Sequence, residues 1–175
     1  MATIALPEPS AAALTESQFV QQWEPMASSV ALTEQREQIF VFSVRGGTYR
    51  IVIKSTNASV PDWVVPTIKA FAGILNLSDN WDSYGGRTIN RDLIREALFI
   101  LGMVMKADSP APSVVPLGDS GLQIEWHRRQ QDLEITFAFD EAPKFFYHNR
   151  ATRELEEGFA HPETEKLINF LGSLV

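Results

Sequence analysis

In the stretch LQIEWHRRQQDLEITF, Leu122 to Phe137, apolar and polar residues alternate on both sides of a short polar break. A period of two marks a strand with one buried face. The two runs lie close enough to pair as a hairpin over Arg128 to Gln131. Pairing sets Trp126 against Leu133, Ile124 against Ile135 and Leu122 against Phe137, which makes one apolar face. The other face then holds Gln123, Glu125 and His127 beside Asp132, Glu134 and Thr136, with Glu125 opposite Glu134 and His127 opposite Asp132. A third strand, Phe145 to His148, is expected to return with Phe145 near Phe139, Tyr147 near Phe137 and His148 near Thr136.

Working outward, Ile39 to Ser55 (IFVFSVRGGTYRIVIKS) is a second hairpin signal, with Gly46-Gly47 supplying the backbone freedom of a tight turn. Its expected pairs are Val44 with Tyr49, Phe42 with Ile51 and Phe40 with Ile53. Helices are expected from Pro61 to Leu77, irregular near Pro66, from Arg91 to about Ala107 with Asn90 as cap, and from His161-Pro162-Glu163 to Val175. Residues 109–121 read as a Pro/Gly/Ser loop. Thr15 and Gln18 form a capping-box pattern ahead of Phe19, Val20, Trp23 and Met26, which predicts a short amphipathic helix over 16–27. The expected class is α+β: an antiparallel sheet of about five strands from two hairpin units, two strands plus three, with helices mainly on one face. Residues 1–35 read as an acidic, partly disordered arm and 36–175 as a single domain.

Composition narrows the function classes. The chain has 175 residues, 45% of them hydrophobic, with 15 Lys+Arg against 22 Asp+Glu and no Cys. That is the profile of a globular domain. It excludes a disulfide scaffold and thiolate metal sites. The net charge of -7 argues against a broad nucleic-acid binder. The four Glu of residues 1–35, with no basic residue beside them, hold -4 of it, leaving -3 for the rest. The longest apolar run, Ala97 to Met105, falls short of the roughly 20 residues that span a bilayer. With no basic residue before Arg36 there is no secretory-signal pattern, so a cytoplasmic protein without membrane attachment is expected.

Three constellations carry candidate chemistry. The loop Asp79 to Gly86 joins two apolar helices yet holds Asn80, Trp81, Asp82 and Tyr84, and aromatics in a loop are binding anchors. The alternative is that these side chains build the loop itself. The polar hairpin face offers Glu125, His127, Asp132 and Glu134. Facing carboxylates drive one pKa up, and a His-Asp pair serves as a base, so this face suits a small acid/base or metal-dependent hydrolase such as a nuclease. The competing reading is a solvated face of cross-strand polar pairs. Arg128 and Arg129 at the hairpin tip are the best single contact for nucleic acid or an acidic partner. Phe19 and Trp23 are the docking candidates of the arm. Phosphate-loop, nucleophile-elbow and zinc-helix signatures are absent, and the three His have no zinc spacing. No metal or other cofactor is expected.

The segments NWDSYGG (Asn80 to Gly86) and Pro112 to Ile135 together resemble a family of small bacterial proteins. Its pattern is N-W-D-x-Y-G, a helix, P-x-V-x-P, a Gly turn and an apolar-x-apolar-E-W strand. The matching residues are Asn80, Trp81, Asp82, Tyr84, Gly85, Pro112, Val114, Pro116, Gly121, Ile124, Glu125 and Trp126. The resemblance covers about 75–150 and carries no catalytic residue. It implies a protein encoded beside a second small protein, in the manner of toxin–antitoxin or defence gene pairs. The sequence thus favours a non-catalytic interaction or accessory subunit with a protein partner, the product of a neighbouring gene. The hydrolase and a subunit of a nucleoprotein complex are the alternatives.

Overall fold

The computed structural model describes residues 60–175 and, as backbone, three strands before them: β1 (Ala2–Ile4), β2 (Arg36–Val44) and β3 (Gly47–Ser55). The chain divides into two compact units, Met1–Val60 and Pro61–Val175. The first holds an antiparallel sheet of order β1-β3-β2. Within it Phe42 pairs with Tyr49, Phe40 with Ile51 and Val44 with Gly47, two residues from the expected register. The shift is even, so the alternation stays in phase with the pairing. The Gly46-Gly47 pair signals a turn in the sequence but does not fix the register of the strands it joins. The expected helix over 16–27, with Phe19 and Trp23, lies outside the described residues.

The second unit runs α1 (Val64–Leu75), α2 (Arg91–Val104), β4 (Ser113–Pro116), β5 (Leu122–Arg128), β6 (Gln131–Phe137), β7 (Lys144–Asn149), β8 (Glu154–Phe159) and α3 (Thr164–Ser173). Its five strands form one antiparallel sheet in sequence order, so the fold is α+β. The five strands are not the expected two plus three. All come from residues 113–159, and the first hairpin does not enter this sheet. Besides β1, which falls within the residues read as the arm, two strands escape the sequence reading. β4 hides in the Pro-rich segment, where Pro116 is tolerated at the end of an edge strand. β8 reads Glu-Leu-Glu-Glu-Gly-Phe, a composition poor in strand formers.

The β5–β6 register is the expected one, with Trp126 against Leu133, Ile124 against Ile135 and Leu122 against Phe137. β7 sits four residues from its expected place: Phe145 pairs with Ile135, Tyr147 with Leu133 and His148 with Asp132. β6 stops at Phe137, and Phe139, read as a strand residue, is 62% exposed in the connection. This shift too is even, so Phe145 and Tyr147 keep the buried face.

That face holds Leu122, Ile124, Trp126, Leu133, Ile135, Phe137, Phe145 and Tyr147, all buried, each contributing about 1.5–3 kcal/mol of apolar burial. The buried Trp126 indole donates to the Pro110 carbonyl at 2.8 Å, which satisfies its one donor. Phe170 of α3 stacks on Tyr147 with ring centres 3.9 Å apart. α2 begins where expected, its Asn90 cap accepting from the Asp92 amide at 2.9 Å, and ends at Val104. α1 begins at Val64, which places Pro66 in the first turn, where its missing donor costs nothing. Among the described residues no helix is long and apolar enough to cross a membrane.

Candidate functional site

Alternation along β5, β6 and β7 gathers the polar side chains on the face opposite the core. Asp132 is their hub. Its Oδ1 lies 2.8 Å from His127 Nδ1 and accepts from Arg150 Nη2 at 3.1 Å, and its Oδ2 lies 3.1 Å from Arg150 Nε. His148 Nδ1 stands 3.9 Å from the same Oδ2. The other nitrogen of His127, Nε2, lies 3.2 Å from Glu125 Oε2. Asp132 and, behind it, Glu125 therefore push the His127 pKa above its ordinary value, because an imidazolium can donate to both carboxylates at once. Glu134 turns away from this group and accepts from Gln123 Nε2 at 2.6 Å.

The expected juxtapositions of His127 with Asp132 and of Glu125 with Glu134 are present in the pairing. The chemistry is different. A general base needs a free nitrogen lone pair, and both His127 nitrogens face carboxylates. The two carboxylates have separate partners instead of sharing a site. His148 reaches Asp132 rather than Thr136 because β7 is shifted. Among the described residues no group of three His, Asp or Glu is placed to hold a metal ion. Arg150, which makes a two-point contact with Asp132, is not legible in the sequence: it comes from the turn after β7, whose register the sequence leaves open.

The aromatic loop closes on itself. Asp82 Oδ1 accepts from the amides of Tyr84 and Gly86, both at 2.8 Å, and these two bonds pull its carboxyl below the usual range. Asn80 Oδ1 accepts from the Gly85 amide at 2.8 Å, Asp79 Oδ1 from Thr88 at 3.0 Å, and Trp81 Nε1 donates to the Arg87 carbonyl at 3.1 Å. Asn80, Ser83 and Gly85 have φ of 63°, 66° and 91°, the left-handed region that Asn and Gly enter most readily. A Cβ on Gly86 would stand 2.8 Å from both Asp82 Oδ2 and Trp81 Nε1. The Arg87 amide donates to Gly118 at 3.0 Å and the Asn90 amide to Ser120 at 2.9 Å. The two segments that carried the family resemblance thus meet, loop against turn. Of the four candidate residues, Trp81 and Asp82 are half-buried, while Asn80 and Tyr84 are exposed, Tyr84 at 94%.

Arg128 and Arg129 lie exposed at the β5–β6 tip, where Arg129 and Gln130 have φ of 50° and 60°. The Arg150 amide donates to the Gln130 carbonyl at 2.8 Å, which brings the next turn alongside.

A second surface was not foreseen. On the side of the sheet that bears Asp132, β8 presents Leu155 and Phe159, 58% and 47% exposed. The half-buried Phe146 of β7 pairs with Glu157 between them. Diagonal neighbours across a strand pair lie within reach of large side chains, so three large apolar residues share this face near the sheet edge, with Glu157 between Leu155 and Phe159. The available signal was the alternation of Leu155 and Phe159 with polar residues, masked by the three Glu. Residues 61–175 carry 11 Lys+Arg against 17 Asp+Glu, so this unit holds -6 of the chain's -7. The acidity belongs to the Pro61–Val175 unit more than to the first 35 residues.

Compared with known protein families, curated proteins and solved structures, the chain finds no match.

Proposed function

We propose that this protein is a non-catalytic interaction subunit that docks a protein partner on the β8 side of its five-stranded sheet. One observation carries the reading: the polar side chains of the sheet face pair with one another, while the large apolar Leu155 and Phe159 stand exposed beside them on an edge strand. Large apolar side chains left exposed on an edge strand are what a partner covers. His127, Asp132 and Glu125 are locked in a network that orders the face, a poor arrangement for moving protons. An accessory or antitoxin-like role in a bacterial defence or toxin–antitoxin pair is the form this takes if the loop-and-strand resemblance holds.

Co-purification of the tagged chain from its native host tests the reading. The wild-type chain and a Glu125→Gln/Glu134→Gln variant are expected to bring down the same protein in stoichiometric amount. A Leu155→Ser/Phe159→Ser variant is expected to lose it. If the carboxylate variant loses the partner and the apolar variant keeps it, the proposed surface is wrong.

A further inference from the structure

Building on that interaction reading, we infer that the β8 edge takes up an extended, basic segment of the partner as a sixth strand of the sheet. The two edges of the sheet differ. β4 spans only four residues, ends in Pro116 and lies against α1. β8 spans six residues and is the last strand of the sheet. An edge strand presents a row of backbone donors and acceptors that an incoming strand can pair with, and its side chains set which strand enters.

Those side chains select against a second copy of this chain. An antiparallel pairing of β8 with itself must keep each face in phase. The two symmetric registers that pair most of the strand therefore place Glu156 opposite its own copy or Glu157 opposite its own copy, and like charges directly opposite are destabilising. A partner strand with Lys or Arg at those positions replaces the repulsion with attraction. Glu154 and Glu157 are exposed, and neither forms an ion pair with another described residue. Glu156 is already held by Lys166 at 3.0 Å. On the outer face Leu155, Glu157 and Phe159 follow one another at strand spacing. The matching segment thus reads apolar, any, basic, any, apolar. The -6 carried by residues 61–175 attracts a basic segment over a longer range as well.

The probe is a displayed library of random linear dodecapeptides, panned on the full chain. Enriched sequences are expected to carry excess Lys and Arg with apolar residues four apart. A synthetic copy of one such peptide is expected to protect the β8 amides from hydrogen exchange. Its affinity is expected to fall about tenfold or more for Glu154→Lys/Glu157→Lys, by a margin that narrows as salt is raised. N-methylation at alternate peptide nitrogens is expected to abolish binding, because strand addition needs those donors. Enrichment of acidic or uncharged peptides overturns the inference. So does binding that survives N-methylation, a dimer of the free chain blocked by Leu155→Ser, or an absence of enriched peptides. Each of these leaves the interaction reading standing if Leu155→Ser/Phe159→Ser still sheds the native-host protein; retention of that protein by the double variant defeats both.

Discussion

Replacing Asp132 by Asn keeps the shape of the hub and removes its charge. Two charge-assisted contacts weaken: the one to His127 at 2.8 Å and the two-point contact with Arg150 at 3.1 Å. Asp132 itself is well covered, with 17% of its side chain exposed, but His127 and Arg150 are 47% and 55% exposed. Solvent screening therefore keeps each contact near 0.5–1 kcal/mol, and the expected loss is about 1–2 kcal/mol near pH 5.5. With a urea slope of about 2 kcal/mol per molar, the unfolding midpoint falls by about 0.5–1 M. The pH dependence follows from His127, whose pKa is raised in the fold by Asp132 first and Glu125 second. A raised pKa gives stabilisation that is complete below the unfolded value of 6.5 and is lost as pH rises through the folded value. Wild-type stability should thus decline above about pH 6.5 through this group, and Asp132→Asn should flatten the decline without erasing it, since Glu125 remains. The difference between the two proteins should narrow at about pH 8.5 but persist, because Arg150 stays charged there. Urea unfolding followed by tryptophan fluorescence across this range measures all of it. Equal midpoints near pH 5.5, or an identical pH slope in both proteins, would refute the network.

The other expectations are simpler. Gly121→Ala places a Cβ 2.7 Å from the Phe137 carbonyl oxygen, a backbone atom that cannot swing aside, and should destabilise by about 1–3 kcal/mol in the same urea assay. Asn90→Ala removes the α2 cap and should cost about 0.5–2 kcal/mol. Leu155→Ser/Phe159→Ser should lower the unfolding free energy by no more than about 1–2 kcal/mol, since both side chains are only half covered, and leave the chain folded even as partner binding is lost. Asp82 has a pKa below 3.8, held down first by the Tyr84 amide and next by Gly86. The order it gives the loop should be present above that value and lost as pH falls through the folded pKa. Amide resonances of Tyr84 and Gly86 should shift with this titration and cease to do so in Asp82→Asn.

The centre of the fold was legible in the sequence because period-two alternation and a short turn act together at 122–137. The turn fixed the register of Glu125, Glu134, His127 and Asp132 to the residue. Where the connection was longer or ambiguous, the alternation specified only the parity. Phe145 and Phe42 accordingly keep their phase but slide by four and two positions. β4 and β8 were hidden because prolines and glutamates, poor strand formers, are tolerated at sheet edges, where half the backbone groups have no partner within the sheet. The same cause hid the apolar patch: Leu155 and Phe159 sit on the strand that the sequence did not disclose. Asn80, Trp81, Asp82 and Tyr84 stand out in the sequence as unusual for a connecting loop. Which of them face outward was not readable, because it depends on the bonds Asp82 makes to the amides of Tyr84 and Gly86.

Hydrogen exchange on the chain bound to its native-host partner is the most direct measurement of where function resides. Amides of Glu154–Phe159 should gain protection on binding, with little change at the β5–β6 tip around Arg128 and Arg129 or in the loop around Trp81. Protection confined to the tip or to that loop, with the Glu154–Phe159 amides exchanging as in the free chain, would contradict the assignment of the interaction to β8.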